Sequence, residues 1–452
     1  MTMRSPHRAA LAALLALTTV VLTACSGLTH SVPVPSAEVS RPPATTVPAL
    51  HRLVDHGAPG AASLTTREGR FWGSRFSTAG VADLRTGRRM DRSDHFRAGS
   101  LTKPLVATVI LQLVAEHKLT LHDTAAAHLP AGVPAKGTAG GGDLRKVTVR
   151  QLLDHTSGLF NYTDDPRLAE QLTGGGFGTH RYDTHPAGQL LRIALDHRPV
   201  AAPGTRYAYA NTNYLVLGLI IQGVTGHSYA TEIRRRLLVP AGLDHTSFPG
   251  TDPVLPKPHG RAYAQIGGRR VDATSLDPSL AGAAGEMVST LGDLNRFFSA
   301  LLSGEFLAPR QMAQLRDEKA TDGAYGLGLY ATELPCGVTV WGHSGDINGS
   351  YVETAGTADG RHLLSYRVNT DALAEPADGA ALLAAEFCPG RAARGGARPV
   401  PPVTRGGGTA RCGQCPATGY SGTMSGAPSR AASAVRSSGC RCDSRSASTR
   451  FS

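Results

Sequence analysis

The first side chains whose spacing suits catalysis are Ser100 and Lys103, in the run Ser-Leu-Thr-Lys. Apolar residues recur at helical spacing after Ser100, which predicts a buried helix from Ser100 to Leu119. Residues three apart lie on the same face of a helix, so the amine can reach the hydroxyl. A serine hydroxyl becomes a good nucleophile when a neighbouring base takes its proton, and burial lowers the pKa of an amine towards that role. The pair alone is also typical of a serine N-cap beside a solvated lysine.

Two further polar runs follow far along the chain. Tyr209 and Asn211 form a Tyr-x-Asn run just before an apolar helix predicted from Asn213 to Thr225. A His-Ser-Gly run, residues 343–345, is predicted to end a short strand. Each run alone has a plain structural explanation, a loop tyrosine with an asparagine cap or a strand followed by a Ser-Gly turn. Their order and wide spacing make the three runs specific together.

The elements that must position these residues are strands at both ends of the body and helices in its middle. The predicted strands are Ala61–Thr65, Phe71–Leu84, Val338–Trp341, Tyr351–Thr357 and His362–Asn369. The further predicted helices are Val149–His155, Ala187–Asp196, Tyr229–Leu238, Leu291–Ser303 and Pro376–Phe387. This order favours one sheet built from distant segments, with an α/β lobe of residues 49–120 and 285–388 and a helical lobe of residues 121–284.

Taken together, Ser-x-x-Lys, Tyr-x-Asn and His-x-Gly resemble the three motifs of the penicillin-recognising serine hydrolases. The likeness covers about residues 49–388 and is closest to actinomycete serine D-alanyl-D-alanine carboxypeptidases and class C β-lactamases. Residues 152–159, 209–214 and 325–329 support it with Leu-Leu-Asp-His-Thr-Ser-Gly-Leu, Tyr-Ala-Asn-Thr-Asn-Tyr and Tyr-Gly-Leu-Gly-Leu. The resemblance implies an α+β, β-lactamase/transpeptidase-like fold, in which an antiparallel sheet is flanked by helices and carries an inserted all-helical lobe. It also implies a monomer that needs no cofactor or metal.

The resemblance assigns a role to each matching residue. Ser100 would form the acyl-enzyme, and Lys103 would take its proton directly or through Tyr209. Tyr209 would pass a proton to the leaving amine and later help to activate water. Asn211 would orient Lys103 and bind the substrate amide, and His343 would help to relay the proton.

The same resemblance places substrate binding at the third motif. The backbone N–H groups of Ser100 and Asp346 would form the oxyanion hole. The substrate would pair as an added strand beside Gly345, where the missing side chain permits a close approach. Cys336 and Cys388 would form a disulfide that occurs in the carboxypeptidase type.

The sequence departs from the carboxypeptidase pattern where a free substrate carboxylate would bind. Ser344 keeps one expected hydroxyl, but Asp346 replaces a second hydroxyl and Tyr330 replaces an expected arginine. A carboxylate repels a carboxylate, which disfavours strict D-Ala-D-Ala specificity unless another basic group, such as Arg206 or Arg269, serves instead.

Three functions remain open at this point. The favoured one is a D-alanyl-D-alanine carboxypeptidase-like peptidase that acts on cell-wall peptides and is acylated by β-lactams. An esterase or β-lactamase of the same fold is the alternative. A non-catalytic lipoprotein that binds the wall is the least favoured, because the complete set of motif residues is present.

The start of the chain predicts export. In residues 1–24 a basic start precedes an apolar run that is too short to span a bilayer comfortably. Cys25 follows Leu-Thr-Ala, as in the lipobox of bacterial lipoproteins, which predicts a lipid anchor on Cys25; an ordinary secretory signal remains open. Residues 25–48 are predicted to be a Pro/Ser/Thr-rich tether. We therefore expect the folded domain, residues 49–388, at the outer face of the membrane or secreted.

The end of the chain is strongly basic. Residues 389–452 hold ten arginines and one acid, which accounts for +9 of the net charge of +11. Their composition predicts a disordered tail; binding to anionic wall polymer or lipid headgroups, a reading-frame error, and zinc binding by the four tail cysteines also remain open. Outside the tail the chain is nearly neutral and has no basic stripe, so nucleic acid is not an expected partner.

Overall fold

The structure, a computed structural model, describes residues 46–68, 73–371 and 373–388. The predicted export signal, the lipidation site at Cys25 and the basic tail of residues 389–452 lie outside the described residues and stay predictions. Most of the predicted tether also lies outside them.

An antiparallel sheet organises the described part of the chain. The strands are β1 (Gly60–Arg67), β2 (Gly73–Gly80), β3 (Phe96–Arg97), β4 (Tyr263–Ile266), β5 (Arg269–Asp272), β6 (Val288–Ser289), β7 (Tyr330–Glu333), β8 (Thr339–Ile347), β9 (Ser350–Thr357) and β10 (His362–Val368). Six of them form one sheet in the order β2-β1-β10-β9-β8-β7, with all neighbours antiparallel. The sheet joins the two ends of the body, as the positions of the predicted strands required.

Helices cover both faces of this sheet. They are α1 (Thr46–Asp55), α2 (Thr102–Ala115), α3 (Val149–Leu153), α4 (Pro166–Thr173), α5 (Phe177–His180), α6 (Ala187–Asp196), α7 (Asn211–Thr225), α8 (Tyr229–Ile233), α9 (Gly282–Gly285), α10 (Leu291–Ser303), α11 (Pro309–Leu315) and α12 (Pro376–Phe387). One apolar cluster packs α1 and α12 on one face, and a larger cluster packs α2, α7 and α10 with the sheet on the other. The predicted α+β fold class is confirmed.

Helix α2 is the central element of the larger cluster. A helix that is apolar around its whole circumference has to be buried, and all but three of the residues in α2 are buried. It is shorter than the predicted span from Ser100 to Leu119. Ser100 precedes it in a 3₁₀ turn, and the left-handed backbone of His117, with φ of 56°, follows its end.

The prediction that the His-Ser-Gly run ends its strand is wrong. Residues 343–345 lie inside β8 and do not follow its end, because Ser344 and Gly345 pair with Glu353 and Val352 of β9. The Ser-Gly-Asp sequence favours a turn locally, but pairing with the neighbouring strand overrides that preference. Strand β8 therefore continues to Ile347 and runs alongside the turn that precedes α2.

Other elements differ from the prediction more simply. The hairpin of β4 and β5 lies within residues 121–284, the segment predicted to be all-helical. Helices α1, α4, α5, α9 and α11 and strands β3, β6 and β7 were not predicted, and Tyr229–Leu238 ends in a π-helical turn. The strand predicted at Phe71–Leu84 extends too far, because β2 ends at Gly80, where the backbone is left-handed with φ of 62°. Among the described residues, no helix combines the length and apolar composition needed to cross a membrane.

Candidate active site

The nucleophile turn leads from β3 into α2. Ser100 lies in the 3₁₀ turn Gly99–Leu101, and Lys103 lies in the first turn of α2. The Nζ atom of Lys103 lies 2.8 Å from the Oγ atom of Ser100. Lys103 is fully buried, and burial lowers its pKa to about 7, although the charge of Asp346 acts in the opposite direction. A neutral amine beside the serine hydroxyl is therefore accessible near neutral pH.

Three oxygen atoms surround the Lys103 amine. Besides Ser100 Oγ, they are the side-chain oxygen of Asn211, at 2.9 Å, and the main-chain oxygen of Ala284, at 2.7 Å. The Asn211 and Ala284 oxygens can only accept hydrogen bonds. When Lys103 is neutral, its two hydrogens bond to these two acceptors, and its lone pair is left to face the Ser100 hydroxyl. The surroundings of Lys103 thus orient it as a base.

The phenol of Tyr209 reaches the same serine oxygen. Its hydroxyl donates to Ser100 Oγ at 2.9 Å, and its ring centre lies 5.0 Å from Lys103 Nζ. Burial raises the pKa of Tyr209 well above 10, so Tyr209 is a protonated phenol at neutral pH. It is consequently a proton donor in this arrangement, while Lys103 is the base.

Helix α7 brings the second motif to the first. It is apolar on all sides and begins at Asn211, two residues before the predicted start, so its N-terminus directs Asn211 at Lys103. The Asn211 N–H group donates to the side-chain oxygen of Asn161 at 3.0 Å. The buried helix therefore fixes where the Tyr-x-Asn run meets α2.

Strand β8 passes against the nucleophile turn at van der Waals distance. A Cβ atom added to Gly345 would lie 2.0 Å from the carbonyl oxygen of Ala98 and 2.9 Å from the nitrogen of Ser100. A Cβ atom added to Gly99 would lie 2.8 Å from the nitrogen of Asp346. Glycine at both positions is what permits the approach. The backbones of Ser100 and Asp346, expected to form the oxyanion hole, are therefore adjacent.

His343 is set back from the serine. It is buried; its Nδ1–H group donates to the carbonyl oxygen of Ser344, and its Nε2 atom accepts from the Tyr325 hydroxyl at 2.8 Å. Burial and the charge of Lys103 lower the pKa of His343 to about 3, so the ring is neutral. Within the described residues no hydrogen bond joins it to Ser100, Lys103 or Tyr209. No direct hydrogen bond therefore supports the proton-relay role expected for His343, whose ring is instead hydrogen-bonded to Tyr325.

Neither of the two arginines suggested by the sequence lies where a substrate carboxylate is expected to bind. Tyr330 lies beside β8, with its ring centre 5.4 Å from that of His343. Arg206 donates to the carbonyl oxygen of Val200, and Arg269 lies on the exposed strand β5. Among the described residues, neither arginine forms a hydrogen bond with Ser344.

The structure also identifies groups that the sequence did not single out. The Ala284 carbonyl carries no side-chain signal, because any residue could supply it. His155 stands in the Leu-Leu-Asp-His stretch that supported the resemblance, but no role was assigned to it. Its ring packs on Tyr209, with ring centres 4.2 Å apart. No group of three or more side chains placed to hold a metal ion occurs among the described residues.

The disulfide expected from the resemblance is present. Cys336 and Cys388 are bonded, with their Cα atoms 5.8 Å apart. The bond ties the turn between β7 and β8 to the end of α12.

Comparison with known proteins agrees with this geometry. A family model described as Beta-lactamase matches residues 45–387. The chain is 29% identical over 235 residues to the putative penicillin-binding protein PbpX of Bacillus subtilis. The aligned region covers 52% of this chain and 53% of PbpX. It is 27% identical over 323 residues to penicillin-binding protein 4 of Amycolatopsis lactamdurans, covering 66% and 77% of the two chains. The chain thus spans about half the length of PbpX.

A solved structure covers the folded part more completely. The D-stereospecific amidohydrolase from a Streptomyces species has a TM-score of 0.70 and is 39% identical in sequence. The superposition covers 77% of this chain and 99% of the amidohydrolase.

Proposed function

The chain belongs to the beta-lactamase family of penicillin-recognising serine hydrolases, and on that premise we propose that it hydrolyses amide or ester bonds of D-amino-acid derivatives through an acyl-enzyme on Ser100. One observation carries the proposal. Ser100 Oγ lies within hydrogen-bond distance of both a buried amine with a pKa of about 7, Lys103, and a protonated phenol, Tyr209.

Acylation follows from these two contacts. Ser100 Oγ attacks the substrate carbonyl carbon while its proton passes to the lone pair of Lys103. The oxyanion forms beside the N–H groups of Ser100 and Asp346, where each such donor is worth about 10²–10³ in rate. When the C–N bond breaks, the Tyr209 hydroxyl gives its proton to the leaving amine. Transfer of the proton from Lys103 to Tyr209 restores both groups. In deacylation the same pair takes a proton from the attacking water and returns it to Ser100 Oγ as the ester bond breaks.

The edge of β8 is where the substrate would lie. Pairing of β7 with β8 ends at Gly342, so in the described structure no strand continues beside β8 from His343 onwards on this side. An extended substrate can add there as a strand, with its carbonyl beside the nucleophile.

The charge next to that edge bears on the substrate class. Asp346 is exposed on β8, its charge acts on Lys103 and Tyr209, and Tyr330 supplies no positive charge. An acid at this position disfavours a leaving group that carries a carboxylate. This favours amides and esters over a C-terminal D-alanine, which agrees with the name of the Streptomyces relative.

A D-alanyl-D-alanine carboxypeptidase-like activity on wall peptides is the second candidate. The three motifs and the disulfide between Cys336 and Cys388 support it. The signals in residues 1–25 support an exported, lipid-anchored or secreted enzyme, and a disulfide suits that oxidising location.

Labelling tests the shared chemistry of both candidates. Purified protein is incubated with a fluorescent penicillin, with and without Ser100→Ala. We expect a covalent label on the native chain and none on the variant. If the native chain neither takes the label nor cleaves nitrophenyl esters, the acyl-enzyme proposal is wrong.

A matched substrate pair separates the two candidates. One substrate is an acylated Lys-D-Ala-D-Ala peptide and the other is the same peptide with its C-terminal carboxylate blocked as an amide. We expect faster cleavage of the amide, with the corresponding L-amino-acid derivatives as controls. Faster release of D-alanine from the free acid would instead establish the carboxypeptidase.

A further inference from the structure

The His155 ring packs among four tyrosine rings next to the Tyr-x-Asn run, a cluster that we call the aromatic wall. They are Tyr207, Tyr209, Tyr214 and Tyr325. His155 follows α3, is fully buried, and has a left-handed backbone with φ of 59°. Histidine is among the few non-glycine residues that are enriched in this conformation. We propose that His155 is a positioning residue that holds Tyr209 in line with Ser100, an inference that rests on the proton-donor role proposed for Tyr209.

Hydrogen bonds from His155 fix the chain on both sides of Tyr209. The main-chain oxygen of His155 accepts from the N–H group of Ala208 at 2.9 Å. The Nδ1 atom of its ring accepts from the N–H group of Ala210 at 3.2 Å. The imidazole ring also packs on the Tyr209 ring at an angle of 30°. One residue thus restrains the phenol by its backbone, its ring nitrogen and its ring face.

A third hydrogen bond sets the protonation state of His155. The side-chain amide of Asn213 donates to the same Nδ1 atom at 3.0 Å, and the Ser157 hydroxyl donates to the Asn213 side-chain oxygen at 2.6 Å. With two donors directed at Nδ1, the ring hydrogen is on Nε2 and the ring is neutral. Burial and the charge of the nearby Lys103 lower the pKa of His155 well below 6.5, which agrees with a neutral ring. His155 therefore positions Tyr209 without exchanging protons with it.

The aromatic wall also links the second motif to the third. The ring of Tyr325 packs edge-on against His155, with centres 4.9 Å apart, and its hydroxyl donates to His343 Nε2. His343 lies on β8 two residues before Gly345. Loss of His155 would loosen this link as well as Tyr209.

A misplaced Tyr209 should affect amides and activated esters differently. An amide needs a proton on its leaving nitrogen, whereas a nitrophenolate leaves without one. Movement of a catalytic group by about 1 Å can cost about 10² in rate. The ratio of the two kcat/KM values, amide over nitrophenyl ester, therefore reports the position of Tyr209, because kcat/KM covers the steps up to acylation and leaves out the deacylation in which Tyr209 also takes part. A loss of folded protein alone would lower both rates equally.

Two substitutions at one position provide the test. His155→Leu removes the acceptor and the ring, whereas His155→Asn keeps an acceptor near Nδ1 and suits a left-handed backbone. We expect the amide-to-ester ratio to fall at least about tenfold in the leucine variant, with KM changed less than about threefold. The asparagine variant should recover part of the loss. In a Tyr209→Phe background, His155→Leu should have no further effect on the ratio.

Asn213→Ala provides a milder variant if His155→Leu does not fold. It removes one of the two donors to Nδ1, so the ratio should fall in the same direction by a smaller factor. A ratio that stays at the native value in every folded variant would overturn the positioning role.

A measurement without turnover separates this inference from the proposed function. In protein with 3-fluorotyrosine incorporated, the fluorine signal assigned to Tyr209 should shift or broaden in His155→Leu and stay near its native position in His155→Asn. An unchanged signal in both variants would contradict the positioning role, even if native protein takes no penicillin. If native protein takes no penicillin label but the Tyr209 signal does respond to the His155 substitutions, only the acyl-enzyme proposal is contradicted.

Discussion

The Lys103 Nζ atom lies 2.7 Å from the carbonyl oxygen of Ala284, so part of the base's orientation comes from α9, outside all three motifs. Helix α9 is itself held next to α2, since the Thr102 hydroxyl accepts from the N–H group of Met287 at 3.2 Å just beyond it. The segment that ends the helical part of the chain therefore sets the direction of the amine.

The protonation state of Lys103 should govern the acid side of the pH profile. Its pKa is lowered to about 7 by burial, and only the neutral amine can take the Ser100 proton. We therefore expect kcat/KM to rise with pH through about 7 and to level off above it, measured with a neutral ester between about pH 5 and about pH 9. Lys103→Arg should lose at least about 10² in rate at every pH, because guanidinium does not deprotonate. A flat profile through pH 7 would contradict the role of Lys103.

The charge of Asp346 should tune that profile. A carboxylate stabilises the ammonium form and raises the pKa of Lys103 against the effect of burial. Asp346→Asn should consequently move the acid limb to lower pH, which the same kcat/KM titration measures. The matched control is Asp55→Asn at the exposed end of α1, which should leave the limb in place. An unmoved limb in Asp346→Asn, or a shift to higher pH, would show that Asp346 does not act on the base.

The sequence was sufficient for the features that depend on local pattern. The continuous apolar surface of α2 and α7 predicted two buried helices, and the three motifs placed Ser100, Lys103, Tyr209 and Asn211 together. The strands predicted at Tyr351–Thr357 and His362–Asn369 lie within one residue of the observed bounds of β9 and β10. Short-range periodicity carries this information because it reflects which face of each element is buried.

The features that depend on tertiary contacts were not predictable in this way. Strand β7 is short and polar, so only its pairing with β8 makes it a strand. The Ser-Gly-Asp run in β8 has the composition of a turn. The role of the Ala284 carbonyl leaves no trace in residue type, and His155 became informative only when its two main-chain partners were known. Backbone acceptors and long-range packing leave little mark on a single sequence.

The disulfide should contribute to stability through the chain it closes. Cys336 and Cys388 are 52 residues apart, and a loop of this size corresponds to about 4 kcal/mol in the chain-entropy account. We expect Cys336→Ser to lower the thermal midpoint, and the midpoint of the native chain to fall when a reductant is added. The variant itself should not respond to reductant. Equal midpoints for the native chain in oxidising and reducing buffer would contradict this contribution.

Gly345 should be needed for the contact between β8 and the nucleophile turn. A Cβ atom at this position would lie 2.0 Å from the Ala98 carbonyl oxygen and 2.9 Å from the Ser100 nitrogen. Both obstacles are backbone atoms, which cannot move aside as a flexible side chain can. Gly345→Ala should therefore push β8 away and separate the N–H groups of Ser100 and Asp346.

Loss of that alignment should slow acylation itself. We expect the rate of ester hydrolysis to fall by about 10² or more in Gly345→Ala, the usual effect of losing one oxyanion donor, together with slower labelling by fluorescent penicillin. Gly292→Ala in α10 is the matched control, because its nearest neighbour would be the Thr290 hydroxyl at 3.8 Å, an ordinary contact. A Gly345→Ala protein that folds and acylates at the native rate would show that the oxyanion is stabilised elsewhere than between β8 and the turn before α2.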